Sequence, residues 1–358
     1  MNEDCLKLTA YFDERQRSGG CFLSDAMLSL YGRRNIATSI VLRGVGGFGS
    51  RHHLRSDQSL SLSENPPVTL VAVDTPAAVE GLFDPLRVMP KRAVITLERA
   101  RLFSGAVEAA HIEDRPDEAT KLTVYLGRKE RIRGMPAYLA LCEMLYRHGM
   151  DGASAFLGVD GTAHGSRQRA RFFGGNADVP MMVISVGGAE RVRRVLPELR
   201  GLLRDPLITV ERVRVCKRDG ELLRRPHALP GTDERGLALW QKLMVYTSEA
   251  DRHDGMPVHR ALVHRLRQHR ALSGATVLRA VWGFHGSLPP HGDRLFALAR
   301  RVPVVTIVAD RPANIAESFD VIDELTAEHG LVTSEVVPAL VSVDGDDRYG
   351  GPRLARHQ

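Results

Sequence analysis

The sequence predicts an α+β protein built from three tandem ferredoxin-like domains, each with the element order βαββαβ. Two observations lead to this prediction. A short strand-like phrase occurs three times within the 358 residues, and the landmarks that follow each copy keep nearly the same spacing. Within each copy, apolar and β-branched strands alternate with helices that have proline near their start, always in the same order.

The repeated phrase starts with lysine and has tyrosine four residues later, at residues 7–12, 121–126 and 242–247. A glycine follows each tyrosine after 36 or 37 residues, an aliphatic strand ends 26 or 27 residues later, and a glutamate follows after another 24 or 25. The glycines are Gly47, Gly161 and Gly283, and the glutamates are Glu98, Glu211 and Glu335. A period of roughly 100 residues indicates a triplicated domain, because solenoid repeats are only ~20–50 residues long. The predicted domains are residues 1–103, 121–217 and 240–340, the linkers 104–120 and 218–239, and the C-terminal tail 341–358.

Each domain begins with the repeated phrase as its first strand. The first helix is expected to begin at Pro136 in the second copy and Pro257 in the third, and to end near Gly149 in the second. A short β-branched strand and a long loop follow, and one second helix separates the last two strands. The loops are residues 50–66, 164–179 and 285–301, and the proline-led strands are residues 67–74, 180–187 and 303–310.

Composition excludes several classes of protein. Hydrophobic residues make up 43% and charged residues 26% of the chain, which excludes wholesale disorder. No apolar run reaches the ~18 residues of a membrane span, the first nine residues do not resemble a signal peptide, and the four cysteines are scattered. We therefore expect a cytoplasmic protein without disulfides or a structural zinc. The net charge of +6 is too small to indicate nucleic-acid binding, although residues 121–217 carry 17 Lys+Arg against 9 Asp+Glu.

Candidate catalytic and metal-binding patterns are weak. Residues 44–49 match the G-x-G-x-x-G pattern of dinucleotide sites, but a loop-like segment follows where that site needs a helix. The adjacent His52 and His53 need further ligands from elsewhere to bind a metal. Protease, P-loop and hydrolase motifs are absent, and the aliphatic third strands lack the aromatics with which an RNA-recognition sheet stacks bases. The recurring glutamate is explained equally well by a structural ion pair with a neighbouring domain, so we expect neither a catalytic site nor a metal site.

The glycine-rich turns at the base of each long loop are candidates for ligand binding, because backbone there needs positive φ or a close approach to another group. These residues are Gly44, Gly47, Phe48, Gly49, Gly158, Gly161, Gly283, Phe284 and Gly286. The loops themselves carry arginine beside aromatic residues, a combination suited to anionic partners. The candidate partner-binding residues are Arg51, His52, His53, Arg55, Arg167, Arg169, Arg171, Phe172 and Phe173. The alternative for the second loop is a solvated basic segment whose two phenylalanines fold back on the domain.

The first and third copies, and more loosely the second, resemble the PII-like proteins classed as domain of unknown function 190. The resemblance lies in the opening phrase, the glycine-rich loop base, the P-V-x-x-x-V-x-D strand and the T-x-E strand, and it covers nearly the whole chain. It implies a single-chain pseudo-trimer that is a monomer in solution, with small effectors, often adenine nucleotides, bound in the clefts between units. It also implies long loops that contact a partner, frequently a membrane transport protein. Classical PII proteins bind phosphates with a glycine- and lysine-rich loop, which is not found at residues 84–92, 204–207 or 328–331. An adenine nucleotide and an inorganic anion therefore both remain candidate effectors. We also expect the three clefts to be unequal.

Three functions remain as hypotheses from the sequence. The favoured one is a non-enzymatic regulator that binds a small effector and contacts a partner through its loops. The second is a structural adaptor without an effector. The third is an enzyme that uses a cleft between domains, but no acid–base pair recurs in the three copies to support it.

Overall fold

The computed structural model describes residues 3–56, 65–103, 118–168, 179–203, 206–269, 271–286, 288–292 and 301–356. These residues form a mixed α/β structure with mostly antiparallel strand pairing and three repeated units. None of the helices in these ranges is long and apolar enough to span a membrane.

Unit one is the first of these repeats. Its elements are β1 (Glu3–Asp13), β2 (Arg17–Ser18), β3 (Cys21–Phe22), α1 (Leu23–Arg33), β4 (Thr38–Arg43), β5 (Gly46–Phe48), β6 (Arg55–Ser56), β7 (Pro67–Asp74), α2 (Pro76–Glu80), α3 (Phe83–Val88) and β8 (Arg92–Leu102).

Unit two repeats this order with one long second helix. Its elements are β9 (Glu118–Gly127), β10 (Arg131–Ile132), β11 (Met135–Pro136), α4 (Ala137–Arg147), β12 (Gly152–Leu157), β13 (Asp160–Ala163), β14 (Ser166–Arg167), β15 (Pro180–Gly187), α5 (Ala189–Leu202), β16 (Leu207–Arg218) and β17 (Glu221–Leu222).

Unit three ends in an additional hairpin. Its elements are β18 (Trp240–Ser248), β19 (Arg252–His253), β20 (Met256–Pro257), α6 (Val258–Leu266), β21 (Ala275–Arg279), β22 (Trp282–His285), β23 (His291–Gly292), β24 (Pro303–Asp310), α7 (Pro312–Leu325), β25 (Leu331–Val337), β26 (Ala339–Asp344) and β27 (Asp347–Gly350).

The first strand of each unit is buried on both faces, and its residues alternate between two environments. In β1, Leu8 and Ala10 pack into the core beneath the helices of unit one, whereas Cys5 and Tyr11 face the core between the units. This alternation follows from the two-residue period of a strand, which sends successive side chains to opposite faces. The repeated phrase therefore contributes side chains both to the core of its own unit and to the core between the units.

The long strands of each unit form an antiparallel sheet with the same order in all three cases. The orders are β4-β7-β1-β8, β12-β15-β9-β16 and β21-β24-β18-β25. Helices cover one face of each sheet and bury its apolar side chains, while the opposite faces meet in a shared central core.

Strand pairing also joins the units to one another in a closed cycle. The short strand before each long loop pairs with the second long strand of another unit: β5 with β21, β13 with β4 and β22 with β12. The strands at the end of each unit also pair across units: β8 pairs with β16, β16 pairs with β25 and β26 pairs with β8. Each unit therefore contacts both others through main-chain hydrogen bonds.

Several features of the fold differ from the sequence-based expectation. β9 begins within the predicted linker 104–120, and β17 lies within the predicted linker 218–239. The second helix of unit one is two short helices, because the chain turns at Gly81 after α2 and Pro85, which lacks an N–H, lies in the first turn of α3. Residues 341–350, expected in a tail, belong to β26 and β27, which extend the sheet of unit one beyond β8. The predicted helix starts are confirmed within one residue, since α4 follows Pro136 and α6 follows Pro257.

Candidate functional sites between the units

The recurring glycine of each unit lies where one unit pairs with the next. A Cβ added to Gly47 would lie 2.3 Å from the carbonyl oxygen of Ala275, and one added to Gly161 would lie 2.2 Å from that of Ser39. For Gly283 the corresponding distance, to the carbonyl oxygen of Ala153, is 2.1 Å. Any side chain here would separate the paired strands, so the three glycines are required for close approach of backbones from different units.

The aromatic residue after two of these glycines anchors the interface. Phe48 is buried in the core of unit three, and Phe284 is buried in the core of unit two, where it packs edge-to-face against Tyr146. His52 stacks on the Phe48 ring, with its Nδ1 3.0 Å from the carbonyl oxygen of Arg267. These candidate residues therefore hold the loop base of one unit against another.

A cavity of about 590 Å³ opens between units one and three. Five candidate residues from the sequence line it, namely Phe48, Gly49, Arg51, His53 and Arg55. The structure thus brings the glycine turn and the loop start of unit one together at one cleft. The remaining glycine candidates lie elsewhere: Gly44 packs against Pro67, Gly158 and Gly161 lie at the contact of units one and two, and Gly283 and Gly286 lie at that of units two and three.

Other parts of the chain complete the wall of this cleft. Arg92 comes from the start of β8, Ser273 and Thr276 come from unit three, and Ser342 comes from β26. These residues could not be predicted as one wall, because up to about 250 positions separate them from one another and only the closed strand pairing brings them together. An arginine at the start of the last strand recurs in neither of the other copies.

The charged groups of the cleft are partly paired. Arg55 forms an ion pair with Asp13, and Arg92 Nε lies 2.8 Å from Asp344 Oδ1. Burial lowers the pKa of Arg55 and raises the pKa of Asp13, even though the two attract each other. Burial also opposes the charge on Asp344, but hydrogen bonds from Ser50 and Arg92 outweigh it and lower the pKa of that carboxyl. With Arg51 included, three arginines and Asp13 line the cleft, and Asp344 pairs with Arg92 beside it.

The equivalent interfaces carry different chemistry. Between units one and two, the Arg167 guanidinium contacts the carboxylates of both Asp160 and Asp25, which ties the base of the second loop to α1. Arg169, Arg171, Phe172 and Phe173 lie outside the described residues.

At the contact of units two and three, the Asp151 carboxylate accepts hydrogen bonds from two arginines of its own unit, Arg191 Nη1 at 2.7 Å and Arg218 Nη2 at 2.8 Å. His285 Nε2 lies 3.9 Å from Asp251 Oδ2. The three interfaces therefore share a backbone arrangement but not a set of charges.

Six charged side chains meet in the central core, alternating lysine and glutamate in a closed ring. All six are nearly inaccessible to solvent, with side chains between 1% and 8% exposed. Each lysine contacts the glutamate paired with it in its own sheet and one glutamate of another unit. The contacts run Lys7–Glu98 (2.8 Å), Glu98–Lys242 (2.6 Å), Lys242–Glu335 (3.0 Å), Glu335–Lys121, Lys121–Glu211 (3.3 Å) and Glu211–Lys7.

Burial alone disfavours the charged form of every group in this ring. Attraction to the neighbouring opposite charges outweighs burial for most of them: it raises the pKa of Lys7 and Lys242 and lowers the pKa of Glu98 and Glu335. At Lys121, the least exposed of the six, burial outweighs the attraction of the glutamates and lowers the pKa. The ring is neutral as a whole when all six groups are charged.

The three glutamates of the ring have ligand oxygens within 4.8 Å of one another, a spacing that a metal ion could bridge. However, each glutamate already contacts the ammonium groups of two lysines, and these balance the negative charge that would attract a cation. The ring is a structural ion-pair network between units, as the recurrence of the glutamate allowed. The signal for its other half was also in the sequence, since lysine recurs at the start of the repeated phrase in a chain with only six lysines.

Comparison with known proteins agrees with the threefold repeat. The model of a family called domain of unknown function 190, described as an uncharacterized ACR, matches residues 5–102, 119–215 and 240–339. A UPF0166 protein of Aquifex aeolicus (strain VF5) is 32% identical over 99 residues, which is 27% of this chain and 90% of that relative. One unit of this chain thus corresponds to nearly the whole relative.

Two solved structures are weakly similar. Aspartate kinase from Synechocystis matches with a TM-score of 0.22 and 11% identity, over 96% of this chain and 45% of the kinase, so the chain spans less than half of that protein. An unknown protein from Galdieria sulphuraria matches with a TM-score of 0.16 and 13% identity, over 58% of this chain and 97% of that protein. Likeness at this level carries no argument about function.

Proposed function

The chain belongs to the family of domain of unknown function 190, and from that premise we propose that it is a non-enzymatic PII-like regulatory protein. Its three ferredoxin-like units form a single-chain pseudo-trimer. A small anionic effector, either an adenine nucleotide or an inorganic anion, binds in the cleft between units one and three. The long loops then contact a partner, for which the family resemblance implies a membrane transport protein.

The observation that supports this proposal is the arginine-lined cleft between units one and three. Its volume of about 590 Å³ falls in the range of small-molecule sites. Arg51, Arg55 and Arg92 exceed Asp13 and Asp344 by one positive charge, and guanidinium groups bind phosphate oxygens in bidentate fashion. Serine and threonine hydroxyls at the wall add further donors.

The same residues link ligand binding to the loop of unit one. Gly49, Arg51 and Arg55 line the cleft and also lie at the start of that loop. The Asp344 carboxylate accepts a hydrogen bond from Ser50 and pairs with Arg92, so an anion that binds Arg92 competes with Asp344 and changes the charge beside the loop start. Binding of an effector is therefore expected to change the position of the loop, which is how it would alter contact with a partner.

Thermal unfolding with ATP, ADP and pyrophosphate at constant ionic strength tests this proposal. A ligand that binds only the folded state raises the unfolding temperature in a concentration-dependent way. We expect such a rise for the wild type and its loss in the double variant Arg51→Gln/Arg92→Gln. The control Arg193→Gln/Arg194→Gln removes the same charge from α5 and should keep it. Absence of any rise, or an equal rise in both variants, contradicts an effector site in this cleft; the first result favours the structural adaptor.

A further inference from the structure

A hairpin precedes the first helix in every unit, and the three hairpins share strand pairing and hydrogen bonds to the rest of the fold. They comprise residues 13–22, 127–136 and 248–257, and each has two paired two-residue strands. Three backbone hydrogen bonds recur in all of them. In unit two these run from Glu130 N to the Gly127 carbonyl, from Arg128 N to the Val179 carbonyl and from Ala137 N to the Glu130 carbonyl. The fold therefore imposes the same scaffold three times.

The charge on this scaffold differs from unit to unit. The ten residues have no net charge in unit one, carry a net charge of +3 in unit two and carry −2 in unit three. Because the same hydrogen bonds form in all three hairpins, the fold does not require the positive charge of the second hairpin. Unit two also has an excess of eight positive charges over residues 121–217, which exceeds the +6 of the whole chain.

The positive charge of the second hairpin faces solvent. Arg128, Lys129, Arg131 and Arg133 are all exposed. The carboxylate of the adjacent Glu130 accepts a hydrogen bond from Gly127 N at 2.6 Å, so it stabilises the turn at the start of the hairpin. In unit one, by contrast, the acidic residues of the hairpin pair with arginines outside it, Asp13 with Arg55 and Glu14 with Arg43.

An apolar side chain projects beside these charges. Met135 follows the Arg133–Gly134 turn and is 38% exposed. Basic side chains around an apolar tip are the chemistry of peripheral membrane binding, in which lysine and arginine contact lipid phosphates and the apolar group enters the boundary of the acyl chains. A projecting hairpin also fits a flat, laterally mobile surface better than a concave protein site, which would need a matching shape.

We infer that the hairpin of unit two, residues 127–136, docks on an anionic lipid surface. The other two hairpins also expose an apolar side chain, Phe22 and Met256, but they lack the net positive charge, so the protein meets the membrane with unit two. This inference is independent of the effector cleft, since none of the hairpin residues lines it.

Co-sedimentation of the full chain with vesicles tests the inference. The vesicles are phosphatidylcholine alone or phosphatidylcholine with 30% phosphatidylglycerol, a composition of about one anionic lipid in three, chosen to give a negative surface. We expect binding only to the anionic vesicles, with affinity falling as salt shortens the screening length from about 10 Å at 0.1 M.

The decisive comparison uses two triple variants with the same loss of charge. Arg128→Gln/Lys129→Gln/Arg133→Gln should weaken binding at least about tenfold, given roughly 1 kcal/mol for each basic residue near an anionic surface. It leaves Arg131 in place because that side chain donates to the carbonyls of residues 128–130. The control Arg15→Gln/Arg17→Gln/Arg252→Gln removes three charges from the other hairpins and should bind within about twofold of wild type.

Three results would overturn the inference: no binding to anionic vesicles at low salt, equal loss in the two triple variants, or unchanged binding in the hairpin variant. Circular dichroism and the unfolding temperature establish that each variant is folded. A Met135→Ser variant should weaken binding by a smaller factor that persists at high salt, because it removes the apolar contact and no charge.

Discussion

Lysine is rare in this chain, which contains six lysines and 43 arginines, yet four of the six lysines are buried. Lys7, Lys121 and Lys242 each sit between carboxylates of different units in the central ring. A compact ammonium group with three donors fits between two carboxylates, whereas a planar guanidinium needs more room and a fixed orientation. The retention of lysine at these positions is therefore a consequence of the ring.

Removing one lysine from the ring is expected to destabilise the chain strongly. Lys121→Met leaves three buried glutamates against two lysines, and an uncompensated buried charge costs about 3–5 kcal/mol. Urea denaturation would measure this, with the exposed Lys91→Met as control. The double variant Lys121→Met/Glu211→Gln restores charge balance and should lose less stability than the sum of its single variants. Additive losses in this cycle would show that the two side chains do not interact.

Acid should weaken the ring. The pKa values of Glu98 and Glu335 are lower in the folded state than the ordinary value of 4.5. The unfolded chain therefore binds protons first, and the contribution of the ring is present above about pH 4.5 and lost as the pH falls through the folded pKa. We expect the free energy of unfolding to fall between pH 5 and pH 3, values chosen to bracket that range. The fall should be shallower in Glu335→Gln; the same slope in both proteins would place the titration elsewhere.

At the scale of elements, the short strands β5, β13 and β22 connect the units, and each depends on a glycine. Gly47 and Gly283 have φ near +146° and +151°, which side chains disfavour, and all three glycines lie against a carbonyl of another unit. The aromatic residue that follows in units one and three then fills the core of that other unit. Pairing and packing are thus combined within two consecutive residues.

Two glycines of the same turn should respond differently to alanine. In Gly47→Ala the new methyl group overlaps the Ala275 carbonyl at a strained φ, and we expect a loss of at least about 2 kcal/mol. In Gly49→Ala the nearest atom is Nη2 of the Arg55 side chain at 3.7 Å, so stability should stay within about 0.5 kcal/mol. Chemical denaturation of both variants measures the difference. Equal stabilities would mean that the strands of units one and three do not approach as described.

The repeated spacing predicted the order of the long strands and main helices, and the prolines predicted the starts of α4 and α6. The glycine turns were expected to approach another group closely, and their assignment to ligand binding stays a prediction. The spacing could not identify what the glycines approach, because Gly47 and Ala275 are more than 200 residues apart. It also did not indicate that Arg92 and Ser342 share a wall with Arg55, since that depends on β26 pairing with β8. The ring was half predicted: the glutamates suggested an ion pair between units, and the recurring lysine is the signal for the other half, but neither pattern shows which lysine meets which glutamate.

At the scale of the whole molecule, one chain supplies every pairing that joins its units. β5 pairs with β21 and β26 pairs with β8, so units one and three are joined within the chain. Units one and two, and units two and three, are joined in the same way. The ring of charges and the central core are shared by all three units. Fusion of three copies also allowed their surfaces to diverge. The interface of units one and three carries the arginine-lined cleft, whereas unit two carries the excess of positive charge.

The mass of the purified full chain in solution tests whether the three units close on one another within a single chain. Because the interfaces are satisfied within the chain, light scattering coupled to size exclusion should give the monomer mass of 39.5 kDa, independent of protein concentration. A stable assembly of roughly three times that mass would mean that units from different chains complete the ring, and would contradict the closed single-chain arrangement.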